Sequence, residues 1–195
     1  MNVFTSRSDR PRPRTKNRPL LESLEGRQLM SLGSEFSATV NTTTRNAQFG
    51  SANASSANGS SVVVWTDTFS STDHDIRAQR FNSAGQKTGS EIVVSFSSLD
   101  EGSPSVAMDN AGNFEVAWVQ TQPGGDTNVV AQRFNSVGTA VGGVLQVGAG
   151  TFKEHNPSVA MDAHGDFVVA YTRDTNYSND NTPRSEEHTS ELQSP

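Results

Sequence analysis

The chain repeats itself at a constant interval of 53 residues. Three segments, at 62–65, 115–118 and 168–171, read VVVW, EVAW and VVAY and are spaced by that interval. The segments AQRFNS at 78–83 and PSVAMD at 104–109 each return 53 residues later. A period without insertions indicates one supersecondary unit that is copied and stacked, because a single unit cannot bury its own apolar face. The repeat therefore constrains the architecture more than the function.

Each unit has the strand content of a propeller blade. The second unit contains four short β-prone runs, separated by glycine, asparagine or proline turn signals, at 105–108, 113–119, 129–134 and 144–147. Four strands a unit is the number found in a β-propeller blade.

The second run of each unit carries the large side chains. These are Phe114, Val116 and Trp118, and in the third unit Phe167, Val169 and Tyr171. Side chains alternate between the two faces of a strand, so each set shares one face. We expect that face to pack blade against blade.

Turn signals and a recurring arginine follow the same period. The segments DNAG at 109–112 and DAHG at 162–165 predict hairpin turns, in which aspartate caps the turn and glycine supplies a positive φ. The NSxG segments that begin at Asn82 and Asn135 predict the same. The arginine of the AQRF segment recurs as Arg80 and Arg133, and we expect it to tether neighbouring strands or blades.

The repeat resembles the propeller-like repeats of bacterial adhesins and other extracellular repeat proteins. The resemblance covers residues 47–174, or about two and a half units. It implies an all-β fold, an incomplete β-propeller of about two and a half four-stranded blades, because a full ring needs about four to eight. A β-solenoid or a pair of sandwiches is the structural alternative.

Composition divides the chain into five segments. Residues 1–31 carry a net charge of +4, whereas residues 32–182 carry −8. We expect a disordered basic arm at 1–18, a short helix at 19–31, a linker at 32–46, the propeller-like repeats at 47–182 and an unrelated tail at 183–195.

The segment LEGRQLMS at 24–31 resembles the LEPR-XLL motif, which stands at the start of many large bacterial surface or secreted repeat proteins. It departs from that motif at Gly26, where the motif has proline, and at Met30, where it has leucine. The resemblance implies export to the cell surface or the extracellular space, and it implies no chemistry.

The last twelve residues, RSEEHTSELQSP, have no relation to the repeat. They resemble the in-frame translation of a common sequencing-library adapter. We therefore expect this tail to be an artefact and the chain to be a fragment of a larger protein. We also expect residues 1–46 and 175–195 to make few long-range contacts.

Composition excludes several function classes. The chain has no cysteine, so it has no disulfide, thiol nucleophile or thiolate metal site. An acidic repeat region repels phosphate backbones, which argues against a nucleic-acid partner. No apolar stretch approaches the length of about 18 residues that spans a membrane.

Acidic residues concentrate in alternate connections of the predicted sheets. The loops 66–75, 95–103, 120–128 and 148–156 should share one rim, because successive strands run in opposite directions. That rim collects Asp67, Asp73, Asp75, Asp100, Glu101, Asp126, Glu154 and His155.

Part of this rim is a candidate calcium site. Asp73 and Asp75 lie two residues apart, and Asp126 occupies the position of Asp73 in the next unit. Oxygen ligands at such spacing suit a hard cation such as Ca²⁺, although no twelve-residue binding loop is present. We favour solvated acidic loops over a calcium site as the interpretation of this rim, and no other cofactor is indicated.

No arrangement typical of catalysis stands out. Abundant loop acids do not establish the two positioned carboxylates that a glycoside hydrolase needs, and no histidine pair, phosphate loop or nucleophile elbow is present. We therefore expect a non-enzymatic surface or secreted module for binding or adhesion, with a carbohydrate, protein or cell-envelope ligand. The alternative is the propeller portion of an exported, glycosidase-like hydrolase whose catalytic residues lie outside this sequence.

Overall fold

The computed structural model describes residues 40–42, 47–150, 152–175 and 184–192, and for residues 175 and 184–192 it describes the backbone alone. The chain divides into two units at residue 35, and every described residue lies in the second unit. The predicted arm at 1–18, the predicted helix at 19–31 with its LEPR-XLL-like motif, and most of the linker lie outside the described residues.

The described residues form eleven β-strands and no helix. The strands are β1 Gln48–Ser55, β2 Ser61–Ser70, β3 Asp73–Phe81, β4 Lys87–Ser95, β5 Glu101–Met108, β6 Phe114–Thr121, β7 Thr127–Phe134, β8 Ala140–Gly148, β9 Glu154–Met161, β10 Phe167–Thr175 and β11 Arg184–Leu192. The four strands predicted in the second unit are confirmed as β5 to β8, each a few residues longer than predicted except β6. Within the described part of the chain, no helix has the length and apolarity needed to cross a membrane.

The strands form three antiparallel sheets, one for each repeat unit. Blade 1 has the order β1-β2-β3-β4, blade 2 the order β5-β6-β7-β8, and blade 3 the order β9-β10-β11. Strand β5 packs on β1, and β9 packs on β5, so the first strand of each blade lies on the inner side. The described part of the chain is all-β and forms an incomplete β-propeller, as predicted.

Two apolar clusters join the blades. In the first, Phe114, Val116 and Trp118 of blade 2 are fully buried against Val64 and Ile76 of blade 1. Each such side chain contributes about 1.5–3 kcal/mol when it is removed from water. The predicted packing face is therefore confirmed in blade 2.

The second cluster repeats the arrangement one blade further along. Phe167, Val169 and Tyr171 of blade 3 pack against Ala117 and Val129 of blade 2. The prediction for the third unit is thus confirmed as well, and the sheets of blades 1 and 2 are each covered by the next blade.

The predicted hairpin turns are present. Asp109 accepts hydrogen bonds on Oδ1 from the backbone N–H of Asn113, at 2.8 Å, and on Oδ2 from its side-chain amide, at 2.7 Å. Gly112 closes this turn with a φ of 86°, a conformation that favours glycine. In the same way, Asn135 accepts on Oδ1 from the backbone N–H groups of Val137 and Thr139.

The repeated arginine joins adjacent blades, as expected. Arg80 of β3 donates a hydrogen bond to the backbone carbonyl of Ser136, in the β7–β8 turn of blade 2. A Cβ at Gly138 would lie 3.0 Å from Arg80 Nε, and one at Gly165 would lie 2.6 Å from Arg133 Nη2. Both guanidinium groups therefore reach a glycine-containing turn of the following blade.

The tail departs from our expectation of few long-range contacts. Strand β11 pairs with β10 along its whole length, from Phe167 opposite Leu192 to Thr175 opposite Arg184. The free edge of a sheet presents unpaired N–H and C=O groups that can pair with an extended segment through backbone atoms alone. Such pairing makes no demand on the repeat pattern, and the adapter-like origin of the tail stays a prediction.

Candidate functional site

Alternate connections lie on opposite sides of the sheets, as the antiparallel order requires. The β2–β3, β4–β5, β6–β7 and β8–β9 connections share one side with the starts of the inner strands, and we call this side the acidic rim. The capped hairpin turns occupy the other side.

The inner strands begin on the acidic rim with residues at equivalent repeat positions. These residues are Gln48 in blade 1, Glu101 in blade 2 and Glu154 in blade 3. Glu101 is 2% exposed and Glu154 is fully buried. A buried carboxylate is costly unless it is hydrogen-bonded or paired, so the partners of these two groups determine what each can do.

Each of these residues is paired with the neighbouring strand of its own blade. Gln120 donates to Glu101 Oε1 at 3.2 Å, and Arg173 donates to Glu154 Oε1 at 2.8 Å. In blade 1 the direction is reversed, because Gln48 donates to Asp67 Oδ1 at 3.2 Å. All three pairs lie opposite each other in the strand register.

Glu154 is fully engaged in structural contacts. Its Oε1 accepts from Arg173 Nε at 3.1 Å and Nη2 at 2.8 Å, and its Oε2 accepts from the backbone N–H of Val129 at 3.3 Å. Thr127 Oγ1 donates to its carbonyl and accepts from its N–H. Glu154 also raises the pKa of Arg173. We conclude that this carboxylate fastens blade 3 to blade 2.

Glu101 is engaged on one oxygen alone. Ser95 Oγ at 2.6 Å, Ser97 Oγ at 2.9 Å and Gln120 Nε2 at 3.2 Å all donate to Oε1. The other oxygen, Oε2, is buried and has no hydrogen-bond partner within the described part of the chain. Glu101 thus keeps an unused acceptor at the acidic rim.

Asp75 of β3 is the second carboxyl group with unused oxygens. It is 1% exposed, and neither Oδ1 nor Oδ2 has a hydrogen-bond partner among the described residues. Burial raises its pKa to about 6, and the charges of Asp73 and Glu101 add to the shift, while Arg77 opposes it. Asp75 and Glu101 therefore lie close enough to interact electrostatically.

The pair has the elements of acid–base chemistry. A carboxyl group with a pKa near 6 is still protonated in mildly acidic solution, where it can donate a proton. Glycoside hydrolysis commonly uses two carboxyl groups, one protonated and one ionised, on either side of the bond that is cleaved. Asp75 and Glu101 are two carboxyl groups in different environments, as such chemistry needs.

The three calcium candidates are distributed over two blades. Asp73 and Asp75 lie at the start of β3, whereas Asp126 lies in the β6–β7 turn of blade 2. Across the described ranges, no group of three or more histidine and acidic side chains is placed to hold a metal ion. The calcium site gains no support from this geometry and stays a prediction.

A further buried acid was missed by sequence reasoning. Glu115 of β6 is fully buried, and burial raises its pKa to about 8, against the opposing charge of Arg133. Arg133 lies directly opposite on β7. The repeat contained a signal, since the equivalent positions in the other units are Val62 and Val168, so an apolar environment could have been expected there.

Comparisons with known proteins find the fold and no family. No protein-family model matches the chain, and no curated protein matches it. Among solved structures, the chain is similar to an endo-arabinase from Bacteroides thetaiotaomicron VPI-5482, with 12% identity, 75% of this chain and 57% of the other covered, and a TM-score of 0.49. It is also similar to a thermostable family-43 glycoside hydrolase, with 10% identity, 76% and 55% covered, and a TM-score of 0.51.

The chain spans just over half the length of these two proteins. At such low identity the likeness shows a shared fold. Our expectation of a non-enzymatic module is nevertheless corrected by this finding, because the fold is one that glycoside hydrolases use. Nothing in the comparisons supports adhesion.

Proposed function

We propose that this chain is the propeller portion of a glycosidase-like hydrolase that binds and cleaves a carbohydrate at the acidic rim. The observation that carries the proposal is the pair Asp75 and Glu101, whose buried carboxyl groups retain three oxygens without hydrogen-bond partners in the described structure. The fold shared with a family-43 glycoside hydrolase supports it.

Asp75 is our candidate for the general acid. Its pKa of about 6 leaves it protonated in mildly acidic solution, so it can protonate the leaving oxygen of a glycosidic bond. Glu101 is our candidate for the second carboxyl group, which either activates water or stabilises positive charge on the sugar. Ser95 and Ser97 fix its orientation from one side.

Burial sets a condition on this mechanism. Asp75 is 1% exposed and Glu101 is 2% exposed, so a sugar reaches them only when the loops of the acidic rim open. Ser97 belongs to the β4–β5 connection, and its hydroxyl donates a hydrogen bond to Glu101 Oε1. We infer that this connection moves when substrate binds, as active-site loops commonly do.

The test is an assay of the full chain for reducing-sugar release from arabinan, xylan, pectin and cellulose. We expect release from at least one polysaccharide and its loss in Asp75→Asn and Glu101→Gln. Asp166→Asn is the matched control, because this exposed acid lies in the β9–β10 turn on the opposite side. Absence of release and of polysaccharide binding by the wild-type chain would overturn the proposal.

We also propose that the protein is exported, on the strength of the LEPR-XLL-like segment at 24–31. The test compares the full chain with a variant that lacks residues 19–31, both expressed in a bacterial host and followed by cell fractionation. Export of the full chain alone supports the proposal, and equal distribution of the two contradicts it.

A further inference from the structure

Two phenylalanine side chains stand exposed together on the acidic rim. Phe69, near the end of β2, is 60% exposed, and Phe96, at the start of the β4–β5 connection, is 68% exposed. Their ring centroids lie 6.0 Å apart with an interplanar angle of 89°. Edge-to-face contact of this kind stabilises both rings and leaves much of their surface in water.

The position of Phe96 ties this pair to the carboxyl groups. Its chain neighbours on either side, Ser95 and Ser97, both donate hydrogen bonds to Glu101 Oε1. The two hydroxyl groups therefore turn inwards while the ring between them faces solvent. The segment 95–97 therefore links the aromatic pair to Glu101.

We propose that Phe69 and Phe96 form an aromatic subsite on which one sugar ring of a glycan stacks, beside the carboxyl groups of Asp75 and Glu101. This inference rests on the proposed function and names the residues that hold the substrate. It adds a binding role to two side chains that take no part in proton transfer.

A sugar ring matches this surface chemically. The C–H bonds on one side of a pyranose or furanose ring are apolar and weakly positive, and the face of a phenyl ring is negative. The hydroxyl groups at the edge of the sugar remain free to bond with polar neighbours, which on this rim are mainly acidic. Ligand sites commonly combine aromatic walls with a few polar groups in this way.

The test measures binding of short soluble arabinan and xylan oligosaccharides to the full chain by calorimetry. We expect Phe69→Ala and Phe96→Ala to raise Kd by about threefold to tenfold. Phe96→Leu keeps an apolar side chain without a ring and should lose affinity as the alanine variant does, whereas Phe96→Trp should retain it. Val137→Ala is the matched control, since Val137 is 67% exposed in a β7–β8 turn on the opposite side.

The outcomes separate the subsite from the catalytic proposal. Unchanged Kd in both phenylalanine-to-alanine variants overturns the subsite, and loss of hydrolysis in Glu101→Gln would then still support the proposed function. Equal affinity of Phe96→Leu and wild type also overturns it, since a ring would not be needed. If the alanine variants instead abolish self-association in sedimentation experiments and leave Kd unchanged, the pair is a contact between copies of the chain.

Discussion

Arg173 holds the fully buried Glu154 through two nitrogens, Nε at 3.1 Å and Nη2 at 2.8 Å. The equivalent carboxylate of blade 2, Glu101, has a glutamine in place of this arginine. Ser95 and Ser97 compensate for the missing arginine, because they donate two further hydrogen bonds to Glu101. The two blades therefore satisfy the same buried position by different means, one with a charge and one with three neutral donors.

The Arg173–Glu154 pair should behave as a coupled unit. Arg173→Gln leaves a buried carboxylate without its cation, and we expect it to lower the free energy of unfolding by about 3 kcal/mol. Replacing both residues by glutamine should cost less than Arg173→Gln alone, because no uncompensated charge remains. Urea unfolding of the two single variants and the double variant measures this coupling.

A matched comparison comes from blade 2. Gln120→Ala should cost only about 1 kcal/mol, since Ser95 and Ser97 still donate to Glu101. Additive losses in the double variant at 154 and 173 would contradict the coupling. A loss at Gln120 as large as that at Arg173 would contradict the difference between the blades.

Gly148 should tolerate no side chain. A Cβ at this position would lie 2.1 Å from Glu154 Oε2, so Gly148→Ala must displace the carboxylate or the end of β8. We expect a loss of about 1–3 kcal/mol, the usual cost of overpacking. Gly143→Ala in the same strand is the control, because no atom of the described residues lies within 4 Å of its Cβ position. Equal urea midpoints for the two variants would contradict this expectation, since they would show that Glu154 or β8 moves aside without loss of stability.

Glu115 should make the protein less stable as pH rises. Its pKa is raised from 4.5 to about 8 in the folded protein, so the folded state binds more protons than the unfolded state between these values. Stability therefore falls as pH rises from about 4.5 to 8. The loss should be of the order of a few kcal/mol, and Glu115→Gln should remove it.

Urea unfolding across this pH range provides the measurement. The difference in stability between Glu115→Gln and wild type should grow up to about pH 8 and then stay level. Asp75→Asn serves as a comparison, because the pKa of Asp75 is raised from 3.8 to about 6 and its contribution should level off near pH 6. If the difference in stability between Glu115→Gln and wild type is constant from pH 4 to 9, the raised pKa of Glu115 is contradicted.

The hydrolytic activity proposed for the acidic rim should fall as pH rises through about 6. Asp75 acts in this proposal as the proton donor, and it loses its proton near that pH. A profile of kcat/KM against pH reports the pKa of such a group in the free protein. Activity that continues to rise above pH 7 would assign the proton donor to another residue.

Much of the fold could be predicted because the repeat encodes it locally. The 53-residue period gave the blades, the alternation at Phe114, Val116 and Trp118 gave the packing face, and the DNAG turn gave a hairpin that Asp109 caps. The capped hairpin depends on residues that are close together in the sequence. The blades and their packing face depend on the sequence that adjacent units share. The expectation of few long-range contacts in the tail was wrong, because β11 pairs with the backbone edge of β10 and this pairing leaves no signal in the repeat.

The candidate site could be predicted only in outline. Sequence patterns placed Asp75 and Glu101 on one rim, yet they favoured solvated loops. Two of the three hydrogen bonds to Glu101 come from Ser95 and Ser97, which belong to the end of the preceding unit and its connection. Such contacts between consecutive units carry no periodic signal, because the corresponding residues of the next unit are Gly148 and Gly150.

The rim pairs also bear on how such a chain can grow. Gln48 with Asp67, Glu101 with Gln120 and Glu154 with Arg173 each close within a single sheet. Duplication of one 53-residue segment therefore copies donor and acceptor together. Each new copy of the buried carboxylate keeps its hydrogen-bond donor. Afterwards the two partners can exchange polarity by compensating substitutions, as the reversed order in blade 1 illustrates.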